Sequence, residues 1–179
     1  MTVRVTVATP SERAIVMTRS FEAPRRLVFA AWTRPELVAR WYGARGWTIV
    51  EARIDLRVGG AWRFVWDGPE GAAMACGGTY REIAEPSRLC YTESFDEHWY
   101  PGEALVGHDF AERDGVTTLT TTHLFASRRA RDLVIASPMA RGVSEGFERL
   151  DEVLGAGVGD DPGFSPRSSG NTAVPTIDT

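Results

Sequence analysis

His108 and His123 are two of only three histidines in this 179-residue chain. They are the side chains best suited to acid–base or hydrogen-bond chemistry, because an imidazole changes charge near neutral pH. Asp114-Gly115 separates two runs of alternating apolar and polar residues. That dipeptide favours a two-residue hairpin loop. With such a loop Arg113 faces Val116, His108 faces Thr121 and His123 faces Val106. Both rings then share a sheet face with Phe110, Leu119 and Phe125, as diagonal neighbours about 7–8 Å apart at the backbone. Burial disfavours the charged imidazole, so both are expected to be neutral at pH 7. Three roles stay open for the pair: hydrogen-bonded core rings, ligand contacts, or an acid–base pair. A metal site would need a third ligand such as Glu93, and no closely spaced His pair supports one, so none is expected.

The second chemical feature is aromatic. Trp62, Phe64 and Trp66 alternate and must share one face of a strand. They serve either as core or as the wall of a pocket for a planar ligand. Leu89, Tyr91, Glu93 and Phe95 share a face of the strand expected at 87–96. If that face points inward, Glu93 is buried and needs a partner; if not, it is a solvated carboxylate. The candidate ligand-binding set is Trp41, Trp62, Phe64, Trp66, Tyr91, Glu93, Phe95, His108, Phe110, His123 and Phe147, with His108 and His123 also the candidate catalytic pair.

Holding these groups together requires strands and something to cover their apolar face. Residues 14–21 alternate as a first strand. Ala23-Pro24 opens a helix with Leu27, Val28, Ala31 and Trp32 at helical spacing, and Pro35 opens a second that Gly43 ends. From Trp47 the period becomes two, giving strands at 47–57, 60–67, 72–83, 87–96, 103–113 and 116–126. Arg128-Arg129-Ala130-Arg131 reads as a solvated turn. Ser137-Pro138 then starts a helix with Ser as cap. Met139, Val143, Gly146, Phe147, Leu150, Val153 and Leu154 form its single apolar face. Consecutive hairpin-linked strands make an antiparallel sheet, and the long helix must bury its stripe against it. The fold class is therefore α+β. Residues 1–13 form a leader in which Val3, Val5 and Val7 can add an edge strand. Residues 14–155 form one domain. The Gly-, Pro-, Ser- and Thr-rich stretch at 156–179 is expected to be disordered.

Composition excludes several functions. The net charge is −4, so no basic nucleic-acid surface is expected. All 20 basic residues are arginine, which removes the lysine Schiff base and the phosphate-loop lysine. No stretch has the roughly 18 apolar residues of a membrane span, and no secretory signal is visible. Cys76 falls opposite about Phe95 across the turn at 84–87, on the order of 15 Å from Cys90, beyond disulfide reach. Two free thiols suit a cytoplasmic location.

Several motifs occur in order. Arg19-Ser20-Phe21-Glu22-Ala23-Pro24, continuing through Val28-Phe29, resembles the opening of SRPBCC (START-like) proteins similar to the activator of the heat-shock-protein-90 ATPase. Trp32-Thr33-Arg34-Pro35-Glu36-Leu37, Asp55-Leu56-Arg57-Val58-Gly59-Gly60-Ala61-Trp62 and Gly78-Thr79-Tyr80-Arg81-Glu82-Ile83 resemble its later motifs. Arg34 stands where the family often has Asp, and Tyr42 where a second Trp is common. The resemblance spans about residues 14–155. It implies a helix-grip fold with a cavity between sheet and C-terminal helix, and an apolar ligand as a frequent partner. The leading expectation is thus binding of an apolar or aromatic small molecule, without cofactor, with a homodimer left open and neither nucleic acid nor membrane as partner. The alternative is a cofactor-independent cyclase, dehydratase or hydrolase using His108 or His123. A third is a co-chaperone of the heat-shock ATPase, disfavoured because only about 13 residues precede the first strand, too few for the activator's separate N-terminal domain.

Overall fold

The computed structural model describes residues 4–157. The tail expected at 156–179 therefore lies, beyond residue 157, outside the described residues. Eight strands form one antiparallel sheet: β1 Thr6–Ser11, β2 Ala14–Phe21, β3 Thr48–Ile54, β4 Ala61–Asp67, β5 Ala73–Ala84, β6 Arg88–Phe95, β7 Ala104–Arg113 and β8 Val116–Leu124. Their order is β1-β2-β8-β7-β6-β5-β4-β3. The meander from β3 to β8 curls round until β8 meets β2. Helices α1 (Arg25–Thr33) and α2 (Pro35–Trp41) fill the crossover between β2 and β3. The chain closes with α3 (Arg128–Ala136) and the long α4 (Met139–Gly155). This is the α+β helix-grip architecture.

The Asp-Gly turn sets the register expected of it. Arg113 pairs with Val116, His108 with Thr121 and Val106 with His123. Cys76 lies opposite Phe95, and both cysteines are free and buried. Among the described residues no helix is long and apolar enough to cross a membrane.

The leader supplies the edge strand left open for it, exposed and paired to β2, although β1 runs Thr6–Ser11 and so begins after Val5 and includes Val7. One element differs from expectation. The arginine run at 128–131 is the first turn of α3 rather than a solvated turn. Ser127 accepts a hydrogen bond from the Ala130 amide at 3.1 Å, the N-cap arrangement. Ala130 and Val134 are the buried residues of this helix. Arg128, Arg129 and Asp132 are exposed, whereas Arg131 lies against the end of β1 and donates to the Ser11 carbonyl. Ser137 links the two helices: its hydroxyl donates to the Val134 carbonyl and accepts from the Met139 amide.

Helix α4 is pinned mainly through its C-terminal half. Its buried residues are Gly146, Phe147, Leu150 and Val153. Arg19 on β2 is 4% exposed. Its guanidinium bonds both carboxylate oxygens of Asp151 and the Phe147 carbonyl, and lies 4.5 Å from the Phe21 ring centre. Arg149 donates to the carbonyls of Arg40, Gly43 and Trp47, which ties the α2–β3 loop to the helix. Gly146 eases the close approach there, since a Cβ would make a tight 3.3 Å contact with the Gly43 oxygen. Gly43 itself has φ +125°, a conformation that favours glycine.

Phe147 joins these layers. Its ring centre lies 5.4 Å from Phe21, 6.0 Å from Trp32 and 6.1 Å from Trp41. Phe147→Ala should therefore cost about 3–5 kcal/mol in urea unfolding. A loss below ~1 kcal/mol would mean that these ring contacts contribute little to the stability of the core.

Candidate functional site

A cavity of about 450 Å³ lies between the sheet and the first turns of α4. That is within the usual range for small-molecule sites. Its floor is β6, β7 and β8, which contribute Tyr91, Glu93, His108, Thr121 and His123. Trp32 and Trp41 from α1 and α2, and Phe147 from α4, close one side. The mouth is framed by Trp47, by Met74 on β5, by Trp99 in the β6–β7 loop, and by Pro138, Met139 and Gly142. Trp99 is 39% exposed, unusually open for so large an apolar group.

Most of the candidate set converges here: Trp41, Trp66, Tyr91, Glu93, Phe95, His108, His123 and Phe147 all line the cavity. Trp62, Phe64 and Phe110 do not. Trp62 and Phe64 share a face with Trp66, but the curve of the sheet carries them behind Tyr91 and Tyr42. The Trp62 indole donates to the Thr92 carbonyl at 3.1 Å. With Tyr80 these two border a void of about 10 Å³, room for at most one water. Phe110 packs edge-on to Phe29 and Trp32 in the core. Trp47, Trp99, Met17 and Met74 were not among the candidates. Trp47 and Trp99 sit in loops, where no periodicity assigns a face, and the two methionines alternate inward on their strands without any feature separating them from core.

The polar groups of the floor divide in two. His108 is fully engaged: Nε2 lies 2.8 Å from the Tyr91 hydroxyl and Nδ1 2.8 Å from the Thr121 hydroxyl. In either neutral tautomer one ring nitrogen donates and the other accepts, so both neighbours are satisfied. Burial pulls the His108 pKa down to about 3, with His123 a secondary cause. This ring therefore braces the floor and offers no free nitrogen for catalysis. His123 differs. Its Nδ1 is buried without a hydrogen-bond partner among the described residues, and the residue lines the cavity. Burial lowers its pKa to about 4, so it is neutral at pH 7.

Glu93 is the third group. It is 7% exposed, faces the cavity, and makes no hydrogen bond or ion pair among the described residues. Burial raises its pKa to about 7. Burial also pushes the thiol of Cys76 and the phenols of Tyr42 and Tyr91 well above their ordinary values, with neighbouring charges such as Glu93 adding to the rise. All three keep their protons at neutral pH, so Cys76 is no nucleophile. Among the described residues no His, Cys, Asp and Glu cluster could hold a metal ion.

The sign of the Glu93 effect is testable. Its folded pKa stands above the unfolded one, so its contribution to stability is present below about pH 4.5 and is lost as pH rises through about 7. Glu93→Gln should match wild type near pH 4 and exceed it by roughly 2–3 kcal/mol near pH 8. Equal denaturant midpoints at both pH values would mean that the carboxylate is solvated. The histidines act oppositely, costing stability as pH falls from about 6.5 toward 4.

Residues 22–155 match the family model described as Activator of Hsp90 ATPase homolog 1-like protein. A crystal structure of a protein from Rhodobacter sphaeroides is 34% identical, with a TM-score of 0.81 over 86% of this chain and 99% of that one. A protein from Nitrosomonas europaea is 23% identical, with a TM-score of 0.74 over 83% and 97%. The AHSA1 protein from Silicibacter pomeroyi is 18% identical, with a TM-score of 0.66 over 80% and 98%; these last two show likeness of fold alone. No curated protein matches the chain. The ordered motifs, the helix-grip sheet and a family match over three-quarters of its length lead to one assignment: the chain belongs to the Activator of Hsp90 ATPase homolog 1-like protein family.

Proposed function

We propose that this protein binds a small, largely apolar or aromatic molecule between its sheet and the first turns of α4. The observation that carries this reading is the cavity of about 450 Å³, walled largely by indole, phenyl and thioether groups, with Tyr91, Glu93, His108, Thr121 and His123 gathered on the sheet floor. Apolar burial supplies affinity, while a few fixed polar groups set orientation. The His123 ring, the Trp32 indole N–H and the Glu93 carboxyl are groups left to orient a ligand, since His108 is held by Tyr91 and Thr121. A cytoplasmic setting is part of the proposal, because both cysteines are free and buried.

A second reading is cofactor-independent acid–base catalysis in the same cavity. One observation favours it: Glu93 is buried on the cavity wall with no ion-pair partner among the described residues, and this burial raises its pKa to about 7, where a general acid or base is most effective. His108 and His123, lowered to about 3 and 4, are weaker bases for that work. Glu93→Gln separates the two readings. Loss of turnover with a neutral ligand still bound establishes catalysis; undiminished turnover removes Glu93 from it.

Gly142 offers a test of binding itself. It lines the cavity on α4, and a Cβ there would rest 3.7 Å from that of Ala44, an ordinary contact. Gly142→Leu should hold the fold, gaining about 0.5–1 kcal/mol of helix propensity. It should also cut the affinity for a co-purifying ligand, identified by native mass spectrometry, by ~10-fold or more. Unchanged affinity would place the ligand elsewhere.

A further inference from the structure

Among the described residues Glu93 is the one acidic side chain on the cavity wall and no arginine lines it; the chain has no lysine. Every other titratable group that meets Glu93 is neutral at pH 7. These are Tyr91 on its own strand, Cys76 from β5, Tyr42 beyond α2 and Tyr100 from the β6–β7 loop. His108 and His123, from β7 and β8, are neutral too. Around this lone carboxyl stands a wall of indoles, Trp32, Trp41, Trp66, Trp47 and Trp99.

We propose that the cavity selects organic cations: a ligand whose apolar or aromatic body fills the space and whose ammonium lies between the Glu93 carboxylate and the surrounding aromatic rings. This rests on the ligand-binding reading above and adds the charge class. A buried carboxylate without a partner is unfavourable unless it stays protonated or meets a cation. An ammonium supplies the positive charge and the hydrogen-bond donors that Glu93 lacks among the described residues, and indole faces attract cations most strongly of all side chains. A carboxylate ligand would face Glu93 with no counter-charge on the wall, so the same arrangement rejects anions.

Binding should then move a proton. The free carboxyl keeps its proton up to about pH 7. An ammonium beside it favours the ionised form, so the proton leaves for solvent. Affinity for an amine rises with pH through that range and falls only where the amine itself loses its charge.

Isothermal titration with three ligands of one shape tests this: 2-(1-naphthyl)ethylamine, 2-(1-naphthyl)ethanol and 1-naphthylacetate. At about pH 8 the amine should bind ~10-fold tighter than the alcohol, and the acid weakest. Buffers of different ionisation enthalpy should show a proton released with the amine at about pH 6 and almost none at about pH 8. Glu93→Gln should bring amine and alcohol within ~2-fold. An amine no tighter than the alcohol, or a preference that survives Glu93→Gln, overturns the proposal. Should that variant fail to fold, proton release by the wild type decides. Alcohol binding without amine preference overturns the cation class alone, whereas no binding by any of the three overturns the cavity reading with it.

Discussion

The buried Arg19 guanidinium is the fixed point of this structure. An arginine so enclosed must have its donors met, and Asp151 and the Phe147 carbonyl meet them from α4. Together with Leu150 and Val153 this seats the C-terminal half of the helix on the sheet. The N-terminal half has fewer buried residues and begins at the Ser137–Pro138 break. It can span the mouth of a curved sheet without filling it. The cavity follows from an asymmetry along one helix, firmly held at one end and standing off at the other.

The floor shows how a polar interior is kept stable. Tyr91, His108 and Thr121 form a closed chain of hydrogen bonds across β6, β7 and β8, so three buried polar groups satisfy one another. Glu93 and the His123 Nδ1 stand outside that chain. Natural interiors leave few such groups unmatched, and those few concentrate where function is.

Much of this was legible in the chain because local signals govern it. Asp114-Gly115 set the β7–β8 register, and with it the shared face of His108 and His123. Alternation placed Trp62, Phe64 and Trp66 on one face, but only Trp66 reaches the cavity. Depth along a strand depends on sheet curvature and on where α4 lands, and neither has a local signature. The face of β6 was undecidable for a related reason. Leu89 to Glu93 are all buried, so burial on both sides erases the pattern that would tell inside from outside. Arginines hid α3 because only Ala130 and Val134 of its nine residues are buried. Glu93 could be read as buried or solvated until the third dimension was known.

Five of the six tryptophans line the cavity, with Trp62 alone set behind it. The near-ultraviolet spectroscopy of this protein is therefore largely a property of its cavity. Indole emission depends on local polarity and on nearby acceptors, so exchanging water for an apolar occupant changes the environment of almost every fluorophore at once. Trp99 and Trp47 report from the mouth, and Trp32, Trp41 and Trp66 from within. Arrival at the entrance and settling at the floor thus fall on different indoles, and single Trp→Phe replacements would resolve the two stages in time without any added label.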